Sequence, residues 1–180
     1  MQCYICLEEM KNPWDEKGIF SNVIHPCCGR PVHIDCELEA RKHSLKCPWC
    51  RADLPTSKDE LILLLRAGVR TNKGWASMML ADVCSEEQKV GSHRLSIALL
   101  DRAIKKLSEG DEWSCKLASC AKISLALELV DPPRSPGAEI PLDNIIQCLS
   151  LLGEAVDEGH PGAEVCSETL LKRLGLCKSS

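Results

Sequence analysis

The chain has 180 residues, a formal net charge of −4 and 44% apolar residues, yet only 3% are aromatic; that suits one ordinary domain, or a small stapled domain beside a modest helical one. Lysines and arginines are scattered without a cluster that would neutralise phosphates, so no nucleic-acid partner is expected. The longest apolar run, Leu61 to Leu65, is far short of the roughly 20 residues that cross a bilayer, so no membrane partner is expected either.

Seven of the thirteen cysteines fall in the first fifty residues. With His33 they form four pairs: Cys3/Cys6, Cys27/Cys28, His33/Cys36 and Cys47/Cys50. Two residues between paired donors let a tight turn close around one ion, and tetrahedral zinc takes two pairs, so eight ligands predict two structural zinc ions. His25 stands beside this set as an alternative to Cys27. His43 has no partner at ligand spacing and reads as an exposed helix-end residue. Met1-Gln2-Cys3 shows no charged start followed by an apolar stretch, so a reducing compartment, cytoplasmic or nuclear, is expected.

After Cys50, Pro55-Thr56-Ser57 punctuates the chain. Residues 1–55 are read as the zinc finger and 56–180 as a helical domain. Ser57 and Glu60 have the form of a capping box, with the Ser57 hydroxyl accepting from the Glu60 amide and the Glu60 carboxylate reaching back to the cap amide; the first helix should begin near Lys58. Leu95, Leu99, Ala103, Ile104 and Leu107 share a helical face. So do Trp113, Leu117, Cys120, Ile123 or Ser124, and Leu127, and later Leu142, Ile145, Ile146, Leu149, Leu152 and Val156. Helix ends are expected at Gly110-Asp111, at the exposed Pro-rich loop 131–141 and at Gly159-His160-Pro161-Gly162.

Gly74-Trp75-Ala76 is echoed by Glu112-Trp113-Ser114, and Asp101-Arg102-Ala103-Ile104 by Gly153-Glu154-Ala155-Val156. The first interval falls in the range of about 35 to 40 residues typical of paired-helix repeats, and the second is lengthened by the loop from Asp131 to Pro141, which predicts an all-α, solenoid-like array. No nucleophile elbow or phosphate loop appears, and His93 and His160 read as surface residues. Cys84, Cys115, Cys120, Cys148, Cys166 and Cys177 lack ligand spacing and read as packing residues.

The ligands and their neighbours from Cys3 to Arg51 resemble a RING finger, a small α+β module. The resemblance implies a cross-brace, with Cys3, Cys6, His33 and Cys36 on one zinc and Cys27, Cys28, Cys47 and Cys50 on the other. It also implies a ubiquitin-protein ligase without a catalytic nucleophile, whose partners are a ubiquitin-conjugating enzyme and ubiquitin. Ile5, Leu38, Pro48 and Trp49 would dock the conjugating enzyme, and Arg51 matches the linchpin cation that bridges enzyme and ubiquitin. Ala40 stands where ligase RINGs often carry a bulky apolar residue, which leaves a non-catalytic adaptor as an alternative. A plant-homeodomain-type histone-tail reader shares the ligand order, but Leu45 replaces its habitual tryptophan. The helical region resembles degenerate Sel-one-like repeats, relatives of tetratricopeptide repeats. That resemblance implies a protein substrate or scaffold as a second partner.

Overall fold

The computed structural model describes residues 1–10, 12–15, 21–87, 89–131 and 140–176. Strands β1 (Asn22–Ile24) and β2 (Pro31–His33) pair antiparallel, with Asn22 opposite His33 and Ile24 opposite Pro31. Helix α1 (Ile34–His43) follows β2 without a break; Asp35 and Glu37 lie in its first turn and Arg41, Lys42 and His43 in its last, a charge order that suits the helix dipole. His43 ends α1 and is exposed, as expected.

Six helices complete the chain among the described residues: α2 (Lys58–Arg70), α3 (Gly74–Ser85), α4 (Val90–Ser108), α5 (Glu112–Val130), α6 (Leu142–Asp157) and α7 (Pro161–Arg173). Each packs mainly on its neighbours in sequence. The helix ends fall at the Gly and Pro signals: Asp111 caps α5 by accepting from the Ser114 amide, and Pro161 opens α7 at a position where no backbone N–H is needed. Most of the Pro-rich loop, and Cys177, lie outside the described residues.

The cap of α2 differs from the expected box by one residue. Ser57 Oγ accepts from the Glu60 amide at 3.2 Å, but the Glu60 carboxylate takes the amide and hydroxyl of Thr56, at 2.8 and 3.0 Å, instead of the Ser57 amide. These bonds hold the Glu60 carboxyl below its usual range.

Helix α5 is buried around most of its circumference because it lies between α4 and α6. Ala118, Ala121, Leu125 and Ala126 join Trp113, Leu117 and Cys120 in the core, while Leu127 is exposed. Even Lys122 is buried, its ammonium 3.0 Å from Glu154 on α6 and 2.5 Å from Glu158, the residue that caps the C-terminus of α6. Helix α6 buries Cys148, Leu151, Leu152 and Ala155, and leaves Leu142 and Ile146 exposed, so the stripe facing α5 is rotated from the one read in the sequence. In α4, Leu99, Ala103 and Leu107 are buried as expected, joined by Ser96 and Leu100, and Leu95 is exposed. Cys120 and Cys148 are buried, Cys84 and Cys166 half-buried, and Cys115 exposed, so packing accounts for only part of that set.

Two histidines read as surface residues are not. His93 pairs with Glu128 across α4 and α5 at 2.5 Å, with little of either side chain exposed. His160 is buried and caps α7, its Nδ1 accepting from the Gly162 amide at 3.1 Å.

The strands and helices share one apolar core, which runs from Cys3, Met10, Ile24 and Val32 into the helices. The N-terminal ends of α3, α5 and α7 all face the N-terminal cysteine-rich segment. Trp75 lies against Gly29. Trp113 lines a cavity of about 260 Å³ together with Cys28, Arg30 and Pro31. Trp14 stacks on His160 with ring centroids 4.1 Å apart. No helix is long and apolar enough to cross a membrane among the described residues.

Candidate metal centre

Three turns of one geometry present the donors. In the first, the Cys3 amide donates to Glu8 O and the Leu7 amide to Cys3 O, both at 2.9 Å. In the second, the His25 amide donates to Arg30 O at 3.0 Å and the Gly29 amide to His25 O at 2.8 Å. In the third, the Cys47 amide donates to Ala52 O at 2.8 Å and the Arg51 amide to Cys47 O at 3.0 Å. The residue after the last thiol of each turn is left-handed: Leu7 at φ +65°, Gly29 at +73° and Arg51 at +63°. For leucine and arginine that conformation costs about 1–2 kcal/mol, which a metal gripping both thiols of the turn would offset. His33 and Cys36 come together differently: they flank the start of α1, where three-residue spacing places them on one face.

Two clusters result. Cys3, Cys6, His33 and Cys36 form one, Cys27, Cys28, Cys47 and Cys50 the other, and within each the donor atoms lie within 4.8 Å of one another. The first sequence pair thus meets the third, and the second meets the fourth. Zinc–sulfur bonds of about 2.3 Å and zinc–nitrogen bonds of about 2.0–2.1 Å at tetrahedral angles place sulfurs about 3.8 Å apart and sulfur from nitrogen about 3.6 Å. Here Cys27 Sγ and Cys50 Sγ are 3.4 Å apart, Cys28 Sγ and Cys47 Sγ 3.9 Å. His33 Nδ1 is 3.3 Å from Cys6 Sγ and 4.0 Å from Cys36 Sγ. Both donor sets fit a tetrahedral ion, and thiolate-rich sets of this kind suit zinc. An ion held there would be structural, because four protein ligands would leave no open position.

The thiols respond to this crowding. Burial pushes Cys36 up to about 12 and Cys28 up to about 11, with neighbouring thiols adding to it. Burial also raises Cys27, helped by the thiols of Cys50 and Cys47. For Cys3 burial acts upward too, but backbone donors at Cys6, His33 and Ile5 outweigh it and bring the thiol down to about 6.

His25 occupies the first position of the second turn, where the other two turns have Cys3 and Cys47, yet Cys27 joins the cluster in its place. The imidazole is fully buried and faces away, with Nε2 2.9 Å from Glu37 Oε2; the other Glu37 oxygen takes Arg41 Nε at 2.6 Å. Burial lowers the His25 pKa. Glu37 and Arg41, four residues apart on α1, are a pairing pattern visible in the sequence, but nothing there points to His25 as their partner.

The residues expected to dock a partner are on the surface. Ile5, Leu38 and Trp49 are exposed, Pro48 is half-buried and Arg51 is exposed. Tyr4 and Trp49 are 5.9 Å apart between ring centroids, which brings the first and third turns side by side with Ile5 and Pro48 flanking them. Ala40 is half-buried on α1. The sequence reading missed Arg30, whose guanidinium lies 4.1 Å from the centre of the Trp49 ring. A cation over a distant indole leaves no spacing signal. No family model, curated protein or solved structure matches the chain.

Proposed function

We propose that this chain is a zinc-binding RING-type ubiquitin-protein ligase, which holds a charged ubiquitin-conjugating enzyme on the surface around Ile5, Pro48 and Trp49 and uses Arg51 as the linchpin cation. The observation that carries this reading is the interleaving of the ligand pairs, first with third and second with fourth. The thiols of the first and third turns belong to different clusters, but the Tyr4–Trp49 contact sets these two turns beside each other, and their exposed apolar residues then form one surface. A guanidinium directly after the last ligand can donate several hydrogen bonds to two partners at once.

The helices are proposed to be degenerate paired repeats. The two sequence echoes fall at equivalent places, Trp75 and Trp113 at the starts of α3 and α5, and Ala103 and Ala155, both fully buried, in α4 and α6. Because the zinc-ligand segment covers the starts of α3, α5 and α7, a protein substrate or scaffold would use other faces of the array. Ala40 favours a second reading, a non-catalytic adaptor in which the same surfaces bind protein without transfer.

An autoubiquitination assay of the zinc-loaded chain with a panel of conjugating enzymes tests the proposal. Ubiquitin chains that require zinc, Ile5 and Arg51 are expected, with Ile5→Ala and Arg51→Ala reducing product about tenfold or more on the scale of interface hot spots. Absence of product with every enzyme, from protein that stays folded with two zinc ions, would reject the ligase in favour of the adaptor.

A further inference from the structure

We infer that Arg30 is the positioning residue of the conjugating-enzyme surface, and that the helical array holds it there through Trp75. This rests on the ligase reading above. Trp49 is 51% exposed, so little packing fixes its indole. The contacts that do so are Tyr4, with ring centroids 5.9 Å away, and the Arg30 guanidinium at 4.1 Å. A cation held over an indole face fixes the ring's tilt, since the attraction depends on the ring quadrupole.

Arg30 is itself anchored. Its carbonyl accepts the His25 amide at 3.0 Å, and the Gly29 amide just before it donates to His25 O at 2.8 Å. Gly29 sits flat against α3: a methyl group added there would lie 2.2 Å from Trp75 Nε1. With φ at +73° as well, the position accepts only glycine without strain. The second turn therefore cannot tilt toward α3, and Arg30 inherits its position from that contact. The contacts run from Trp75 of the array through Gly29 and Arg30 to Trp49. The array thus supplies part of the geometry of the docking surface besides any substrate contact of its own.

The test uses the full zinc-loaded chain and a conjugating enzyme active in the panel, with affinity measured by titration and the Trp49 indole N–H followed by NMR. Arg30→Ala should keep two zinc ions per chain, move the Trp49 resonance and weaken binding about two- to fivefold, the size of an exposed cation–π contact. Arg30→Lys should recover at least half of that loss. Trp75→Phe, which keeps an aromatic ring in the core, should also move the Trp49 resonance. Wild-type affinity and an unmoved resonance in Arg30→Ala, while Ile5→Ala and Trp49→Ala lose binding, would overturn the role of Arg30 and leave the ligase reading standing. An unmoved resonance in Trp75→Phe would remove the array from the relay. If Ile5→Ala and Trp49→Ala bind as the wild type does, or no enzyme binds, the docking reading fails and the inference fails with it.

Discussion

The indole of Trp14 packs on the imidazole of His160 at 4.1 Å, tilted by 37°, and so joins the cysteine-rich segment to the cap of α7. His160 must be neutral there, because Nδ1 accepts the Gly162 amide and a positive charge at a helix N-terminus opposes the dipole. Burial accordingly lowers its pKa below the ordinary histidine value. A depressed folded-state pKa means that the unfolded chain takes up the proton first. The stability from His160 is thus complete above the ordinary value near 6.5 and is lost as pH falls below it toward the folded pKa. His160→Asn keeps a capping acceptor and removes the titration. Between pH 7 and 5 the wild type should lose more stability than this variant by denaturant unfolding; parallel pH profiles would count against it.

Chelation should do more than unfold the first fifty-five residues. Metal binding is folding energy for a module with so small a core, and Trp75 and His160 would lose their partners Gly29 and Trp14. Loss of about one large buried contact, roughly 2 kcal/mol, lowers the melting midpoint of a chain this size by about 4–8 °C. Circular dichroism melts with and without a chelator should show that drop in the helical signal. A helical midpoint indifferent to zinc would mean that the seam contributes nothing.

Cys27 and His25 should separate into metal-binding and structural roles. Cys27→Ser should reduce the zinc count by one per chain in native mass spectrometry, since a serine hydroxyl is a poor ligand beside three thiolates. His25→Ala should retain both ions and destabilise the fold by about 2 kcal/mol, because buried Glu37 keeps Arg41 but loses its closest buried partner. The opposite result, with His25→Ala losing an ion, would make His25 the ligand.

Donor spacing made the clustered residues legible, because a chelating pair is a local property of the chain, except that Cys27 stood open against His25 until the fold turned His25 toward Glu37. Helix ends were legible for the same reason, through Gly110, Asp111, Gly159 and Pro161. The buried stripe of α6 was not: its apolar residues cover more than one face, and only α5 decides that Leu152 goes inside while Ile146 stays in water. Alanines did the same in α5, where Ala118, Ala121 and Ala126 are core yet carry little hydrophobic signal. The echo of Trp75 and Trp113 was visible as a period, but its physical partner is the cysteine-rich segment, dozens of residues earlier. Arg30 over Trp49 and Trp14 on His160 are likewise contacts between distant segments, which no local pattern announces.

Gly68 offers a test of how closely the first helix pair is packed. It lies within α2, where glycine costs about 1 kcal/mol against alanine, so propensity alone predicts that Gly68→Ala stabilises. A methyl group there would lie 2.6 Å from the Ala76 Cβ on α3, and Ala76 is fully buried with no room to move. Overpacking of this kind costs about 1–3 kcal/mol, so the net effect of Gly68→Ala should be a loss of up to about 2 kcal/mol. Ala76→Gly in the same chain removes the collision. The double variant should then be more stable than the sum of the two single changes by about 1 kcal/mol or more in denaturant unfolding, whereas strict additivity would show that the α2–α3 contact is looser than its geometry.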